Sequence, residues 1–560
     1  MKMIMALIVL FSGFPLEKAI VTLSGVTDVS ELSEEDFERY SFLAAHPLKI
    51  NSSPRSVLLA SGLLSAYQAE SLLEYRQKHG DILSLTELQA VGGFAGETAH
   101  ALSPFLDLSP GTGRGEGKLR LEGIEAVTAG GMKINDGKIT GQWKARTDFE
   151  VCGSNFGFGG AAGAKSPWSE RIPGIGESGW NVHANAGKWL TEIVAGCFNA
   201  RFGQGLLMWS GSVFNSYGSP ASLMKKPYGI VPYKGWSPSY ALKGAAARMD
   251  FGRFSVMPFV SFGGTVEYGG NISWNHRNGE IGAHVLVSKE MQGYSVDFQH
   301  TVRGTVLYGE ACVTKAAATA GKLSSSTVTA SEALSPSALL GATIPAGQFD
   351  MGFRALWTGK EHNATSALSY MSQNRKHSVS LGASASYKKE KRSMTIKAQG
   401  QYNASLSESL GLLTKATVSM GGTNRYTLRE EVSWSDGAFS AGVRADAAYC
   451  MGTAVMFCAD CGYKNPSGST VWTINAQAGA FRADNWDDRI YVYMRDLPGN
   501  FSVPALYGRG WWANAYAKVT AVRRLDICLR VMYMAYPWAR DGDTHVKPSL
   551  NAGLQLSWKL

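Results

Sequence analysis

From Lys118 onward the chain repeats one pattern, in which apolar and polar residues alternate one by one through short segments. "MTIKAQGQY" (394–402) sets Met394, Ile396, Ala398 and Tyr402 against Thr395, Lys397, Gln399 and Gln401. "SVSLGASASY" (378–387) puts Val379, Leu381, Ala383, Ala385 and Tyr387 on one face and Ser or Gly on the other. The chain end alternates Leu554, Leu556, Trp558 and Leu560 with Gln555, Ser557 and Lys559. Successive side chains of a strand point to opposite faces, so each segment has one apolar and one polar face. Turn material such as "KKEKR" (388–392) and "NPSGS" (465–469) separates them. A soluble sandwich would alternate too. A membrane barrel is favoured by the Gln, Asn, Lys and Ser crowding the polar face, by a last strand that runs to the final residue, and by an export signal. Spanning segments of about 9–11 residues fitted into 118–560 predict an antiparallel transmembrane β-barrel of roughly 18–24 strands. An even count puts both barrel ends on the periplasmic side.

The export signal is "MKMIMALIVLFSGF", one Lys and then an apolar run from Met3 to Phe14. The run is too short to span a bilayer and suits a secretory h-region, expected over residues 1–20 without a clean cleavage site. A buried N-terminal strand or helix is the other reading. No later stretch approaches 18 uninterrupted apolar residues, so spanning helices are excluded. With 64 Gly in 560 residues, 11% aromatics and only 18% charged residues, the composition suits a β-rich chain with many turns. The seven cysteines are scattered, and "CADC" (458–461) lacks the second pair or the His that a zinc site needs. It reads as strand, with a disulfide open in an oxidising compartment.

Residues 30–108 read as helical. "SELSEEDFERYSFLAAHPL" opens at Ser30 with Phe37, Tyr40 and Leu43/Ala44 at helical spacing. Ser53 before Pro54 predicts an N-cap, Gly80 a C-terminal stop, and Ser84 with Glu87 a capping box. The charge is split along the chain. Residues 30–110 hold five Lys/Arg against eleven Asp/Glu, whereas 111–560 hold 47 against 32. The surplus of cations lies either in the lumen or on loops and faces toward an anionic leaflet.

"SPGTGRGEGK" (109–118) has Leu119 where a phosphate loop needs Ser or Thr, so 109–117 reads as a linker. Residues 214–240 break the alternation with four Pro, three Lys and six aromatics. They are an external loop or a cationic, aromatic constriction, in which case Lys225, Lys226, Tyr228, Tyr233 and Lys234 are its candidate residues. Asp484, Asp487, Asp488 and Asp496 read as an exposed turn rather than a cation site. No H-E-x-x-H or G-x-S-x-G occurs and the ten His are dispersed, so no catalytic residues, metal or cofactor are assigned and no enzyme is expected.

"KINSSPRSVLLASGLLSAYQAESLLEYRQKHGDILSLTELQAVGGF" resembles tandem helix-hairpin-helix domains, especially the periplasmic DNA receptors of natural competence. Joined to the barrel it resembles exported proteins of Bacteroides-type bacteria, whose recurrent blocks look like "RFGQGLLMWSG" (201–211), "GIVPYKGWSPSYALKGAAARM" (229–249) and "RDLPGNFSVPALYGRGWW" (495–512). The resemblance implies nucleic-acid or partner contacts through Ser65, Tyr67, Arg76, Lys78, Gly92, Gly93, Gly96 and Thr98. Yet the hairpins align as Leu63-Leu64-Ser65 and Gly93-Phe94-Ala95, short of the glycines that let backbone N–H groups reach a phosphate. The acidic charge of the module also opposes phosphate contacts.

The expectation is therefore a signal (1–20), a periplasmic tandem helix-hairpin-helix domain (30–108), a linker (109–117) and an outer-membrane barrel (118–560). The favoured role is a conduit or assembly component surrounded by outer-membrane lipid, its helical domain docking a periplasmic or outer-membrane protein partner or gating the pore. The alternative is receipt of DNA in the periplasm.

Overall fold

A computed structural model describes residues 16–26, 28–94, 97–111, 120–135, 138–152, 156–167, 178–186, 189–211, 216–235, 241–316, 334–465, 470–522, 524–539 and 547–559. The apolar run Met3–Phe14, most of the linker and Gly96 lie outside them.

Twenty-four antiparallel strands close into one barrel, at the upper end of the range expected from segment length. Each strand pairs with its neighbours in chain order, and the last, Ser549–Lys559, pairs with the first, Arg120–Asn135, through matches such as Gln555↔Ala129. Closure leaves no unpaired edge, the condition for a sheet to survive in hydrocarbon. The alternation read from sequence sorts the faces. Leu381, Ile396, Phe457, Ile474, Leu529 and Leu554 point outward and are exposed, while Asn271, His284, Asp297 and Glu310 point inward and are buried. Aromatic pairs ring the outer face near both strand ends. Trp189–Phe251, Phe349–Tyr370 and Phe439–Tyr463 mark one rim, Tyr426–Tyr449 and Trp511–Tyr533 the other. Such girdles sit where a bilayer's polar boundary meets a barrel wall. Cys458 is buried on the inner side and Cys461 exposed on the outer side of strand Thr453–Lys464, so the C-x-x-C is two strand residues three apart and not a disulfide.

The two rims differ. At one, strands join through two-residue turns such as 252–253, 277–278, 303–304 and 347–348. Arg303 and Gly304 both have positive φ (50° and 85°), the pairing of a type I′ hairpin. This turn rim also holds the start of the first strand and the end of the last. The opposite, loop rim carries the long connections 202–241 and 484–507.

Among the described residues six helices precede the barrel: α1 (Leu16–Ser24), α2 (Glu34–Ala45), α3 (Arg55–Ala60), α4 (Ala66–His79), α5 (Leu85–Gln89) and α6 (Glu97–Leu102). Among the described residues no helix is long and apolar enough to cross a membrane. Their apolar stripes meet in one core of Ile20, Leu58, Leu72, Leu88, Phe94 and Phe105, with Phe37 and Tyr40 as expected from the spacing. Ser33, not Ser30, caps α2, because Val29–Glu31 forms a separate 3₁₀ turn whose N-cap is Asp28. Pro54 takes the N-cap position expected for Ser53, and Gly80 ends α4 at φ 89°. Ser84 caps α5 by accepting from Glu87 N, while the Glu87 carboxylate accepts from Leu83 rather than from Ser84. α1 overlaps the span 1–20, and its Ala19 and Ile20 are fully buried in the helical core.

Two outcomes follow from this architecture. The exported chain should retain Leu16–Ser24, so its N-terminal mass should place the mature start before Leu16; a start after Ile20 would contradict the packing. Leu381→Arg, on the lipid face near mid-strand, should cost about 2–4 kcal/mol in folding, and the inward neighbour Ser380→Arg far less, as measured by heat-modifiable migration in lipid vesicles.

Candidate functional site

The helical region does not hang beside the barrel. It reaches into the lumen from the turn rim and touches inward side chains on opposite sides of the wall. On one side Arg201, at the end of strand Leu190–Arg201, donates from Nη2 to Glu35 Oε1 at 2.6 Å and from Nη1 to Asp36 Oδ1 at 3.4 Å. Across the lumen Arg429 Nη1 meets Asp28 at 2.5 Å, and Lys415 pairs with Glu31. At the turn rim Arg277 pairs with Glu74 at 3.2 Å, Arg55 donates to Asn275 at 2.7 Å and Lys559 Nζ to the Ala45 carbonyl at 3.3 Å. The acidic helical region therefore faces cations of the barrel, and Arg201, Lys415 and Arg429 lie in the lumen, while others such as Arg375, Lys376 and Arg392 are exposed in rim turns.

Arg201 is the best-enclosed member. Its Nε donates to the Ser210 carbonyl at 3.0 Å, and its guanidinium lies 4.9 Å from the Trp209 ring and 5.0 Å from the Tyr228 ring. The side chain is 3% exposed and that of Glu35 7%, so the pair is desolvated and each charge depends on the other. Burial alone would raise the Asp28 carboxyl, but Arg429, Arg444 and Lys415 hold it well below the carboxylate range. Glu17 is likewise held down, against the effect of burial, by Arg495 at 2.5 Å.

Two connections fold inward from the loop rim and complete the filling. Residues 202–241 are anchored where Glu310 accepts from the backbone N–H groups of Gln204, Leu206 and Leu207 at 2.7, 3.1 and 3.4 Å. The same loop then reaches the facing wall, where Arg354 donates to the Leu223 carbonyl and a Cβ on Gly382 would strike the Tyr217 carbonyl. Residues 484–507 enter from another side. Phe501 and Tyr493 stack on Phe37 of α2 at 5.1 and 5.9 Å, so barrel residues finish the helical core. The aspartates expected in an exposed turn are in fact used inside this loop. Asp488 is fully buried and accepts from Cys450 and Met451 N–H, Asp496 pairs with Arg530 at 2.9 Å and Asp484 with Arg509 at 2.7 Å; only Asp487 is exposed. Local polarity could not reveal this, because the Arg partners come from later strands.

The constriction candidates sit at the junction of loop and helices. Lys226 Nζ donates to the Leu63 carbonyl at 3.3 Å, and Tyr228 packs on Gly62, whose φ of 65° exposes the backbone to close approach. Lys225 lies 4.8 Å from the Trp209 ring. Lys234 pairs with Glu150 at 3.7 Å and lies 5.4 Å from the Phe42 ring. Tyr233 is buried, its N–H donating to the Cys197 carbonyl.

The expected nucleic-acid set divides. Ser65 and Gln68 form a capping box at the start of α4, Gln68 Nε2 donates to the Gly93 carbonyl at 2.7 Å, and Tyr67 packs on Gly92 and Gly93. Arg76 and Lys78 lie at the other end of the same helix, roughly 15–20 Å away at 1.5 Å per residue. Arg76 is tied to the Ser53 carbonyl at 2.8 Å, Lys78 is exposed, and Thr98 stands on α6. Arg201, Lys415, Arg429 and Arg495 were missed in sequence. Their signal was a cation at the inward phase of a strand or in a quoted block; Arg201, Lys415 and Arg429 face the acidic run "DVSELSEED" (28–36), and Arg495 faces Glu17.

The inner wall is not evenly covered. Inward residues on the strands between Leu190 and Ala316 are mostly buried, whereas Ser380, Ser384, Gln399, Gln401, Asn403 and Thr417 remain partly exposed. These hydroxyls and amides form a ribbon of the inner wall that the filling covers only in part.

Arg201→Ala should leave Glu35 buried without its cation, at a cost of about 3–5 kcal/mol to docking. Hydrogen exchange within α2 should rise while the barrel stays heat-modifiable; unchanged protection would refute the assignment. Because Asp28 and Glu17 are held below their ordinary values of 3.8 and 4.5, their contribution should be complete at pH 6 and fade only as pH falls below those values.

No family model and no curated protein matches the chain. Solved structures share its large-barrel architecture at low similarity. The translocation pore of the P pilus usher PapC gives a TM-score of 0.41 at 11% identity, covering 78% of this chain and 99% of that one. The FrpB iron transporter from Neisseria meningitidis gives 0.39 at 9% identity, covering 78% and 82%. Pseudomonas aeruginosa OpdQ gives 0.30 at 10% identity, covering 80% and 99%. The closed 24-strand barrel with an apolar, aromatic-belted outer face is that of an outer-membrane β-barrel protein.

Proposed function

We propose that the chain is a gated outer-membrane conduit whose own helical region is the gate. The observation that carries this reading is the ion pairing of one helical region to opposite walls, through Arg201 on one side and Lys415 and Arg429 on the other. A module pinned across a lumen blocks it, and 22-stranded outer-membrane transporters provide the precedent of a barrel that would be open unless filled. Two-residue turns on one rim and long connections on the other support a reading in which the turn rim faces the periplasm. The helical region, a tandem helix-hairpin-helix by its sequence resemblance, enters from that side. A periplasmic partner would reach it through accessible residues beside the two ends of α4, Lys78 and Leu83 at its C-terminal end and Gly92 and Gly93 at its N-terminal end.

The geometry favours gating over receipt of DNA. The first hairpin, Leu63-Leu64-Ser65, turns toward the barrel loop, with its Leu63 carbonyl taken by Lys226 and Ser65 engaged in its own cap. The acidic side chains that would repel a polyanion have their counterpart in the barrel wall. Movement of the helices would widen the path along the ribbon of Ser380, Ser384, Gln399 and Gln401.

Conductance in planar bilayers tests the reading. The wild-type chain should open rarely and to small levels. Lys415→Glu with Arg429→Glu, which sets like charge against Glu31 and Asp28, should give larger and longer openings. Equal conductance of the two proteins would overturn the gate.

A further inference from the structure

Between α1, α2, the turn after α3 and the inward loop lies a cavity of about 120 Å³. At roughly 30 Å³ per water it has room for about four waters, or one small polyatomic anion. Four cations line it: Arg39 from α2, Arg201 from the wall, and Lys225 and Lys226 from the loop. The one carboxylate lining it is Asp36, whose Oδ1 is 3.4 Å from Arg201 and 4.0 Å from Arg39. Glu35 is engaged with Arg201, and Glu310 with three backbone N–H groups. Residues 202–241 hold three Lys and no Asp or Glu at all.

The lysines are therefore undercompensated. The contacts of Lys226 Nζ are a neutral carbonyl, Leu63 O at 3.3 Å, and that of Lys225 Nζ is the face of Trp209 at 4.8 Å. Among the described residues no carboxylate stands within ion-pair distance of either. Arg39 donates from Nη1 to the Ser61 carbonyl at 3.0 Å and keeps a buried Nε without a hydrogen-bond partner. Partly buried cations of this kind cost free energy unless an opposite charge joins them.

We infer that this cavity is a binding site for one phosphate-sized oxyanion, held by Arg39 from the helical side and by Lys225 and Lys226 from the barrel side. Tetrahedral oxyanions offer several acceptor oxygens to separate donors, and charge-assisted hydrogen bonds are the strong ones. Burial, together with Arg354 and Arg201 near Lys225 (against the opposing pull of Glu310) and Arg39 near Lys226, brings both amines down to about 8; a bound anion would reverse that. The anion would bridge helices and loop, so its occupancy reinforces the docked state. Binding rests on the cavity and not on conduction, so it stands or falls apart from the gate.

Equilibrium dialysis of the full-length protein in detergent with radiolabelled inorganic phosphate tests this, against chloride at matched ionic strength. One saturable phosphate per chain is expected, displaced by sulfate and not by chloride. The double variant K225M/K226M should bind at least about tenfold more weakly, and K234M, whose lysine is already paired with Glu150, should bind as wild type. If the double variant fails to give a heat-modifiable barrel, the charge-retaining K225R/K226R should keep binding and each single Met variant should lose part of it. Absence of saturable binding by the wild-type chain, or equal affinity in the Met variants, would overturn the proposal.

Discussion

Charge complementarity across the lumen is the constraint on which the arrangement depends. A wide barrel lined by Arg and Lys would be self-repelling and full of water, and a small acidic helical region would be poorly stabilised alone. Each solves the other's difficulty. Arg201–Glu35 lies on one side of the wall, and Arg429–Asp28 with Lys415–Glu31 on the facing side, where Lys415 and Arg429 are register partners on adjacent strands, so the helices are held by opposed attachments rather than by one hinge. Inside the barrel these pairs have low exposure, where a missing partner is expensive and the docked geometry is correspondingly specific.

Apolar packing supplies what charge cannot. Phe37 closes against Phe501 and Tyr493 from a barrel loop, and α1 packs its Ala19 and Ile20 into the helical core. The helices, residues 202–241 and residues 484–507 thus behave as one filling built from three stretches of chain. Moving the helices out of the lumen would break aromatic contacts as well as ion pairs.

Much of the architecture was legible beforehand, because a two-residue period assigns each side chain of a strand to a face. Met394, Ile396 and Leu554 fell outward and Lys397, Gln399 and Gln555 inward as their phase required. Helix positions followed from Gly80, Ser84 and the Phe37–Tyr40 spacing, with errors of a few residues where Ser30 and Ser53 competed with better-placed caps. The docking of the helices in the lumen was not legible. Period fixes a face but not what lies opposite, and Arg201 meets Glu35 from 166 residues away only after the barrel closes. Asp488 and Asp496 misled for the same reason, since polarity looks alike in an exposed turn and in a loop folded onto distant arginines. The blocks quoted at 201–211, 229–249 and 495–512 did contain the signal, for they include much of the two inward loops.

The most direct test of the filled lumen is cross-linking in outer membranes. A full-length chain with its native cysteines replaced and with Asp28→Cys and Arg429→Cys should be bridged intramolecularly, in high yield, by a short homobifunctional thiol cross-linker that replaces the reach of the Arg429 side chain. A chain that stays unbridged there, yet cross-links readily between neighbouring barrel strands, would contradict a helical region seated against the inner wall.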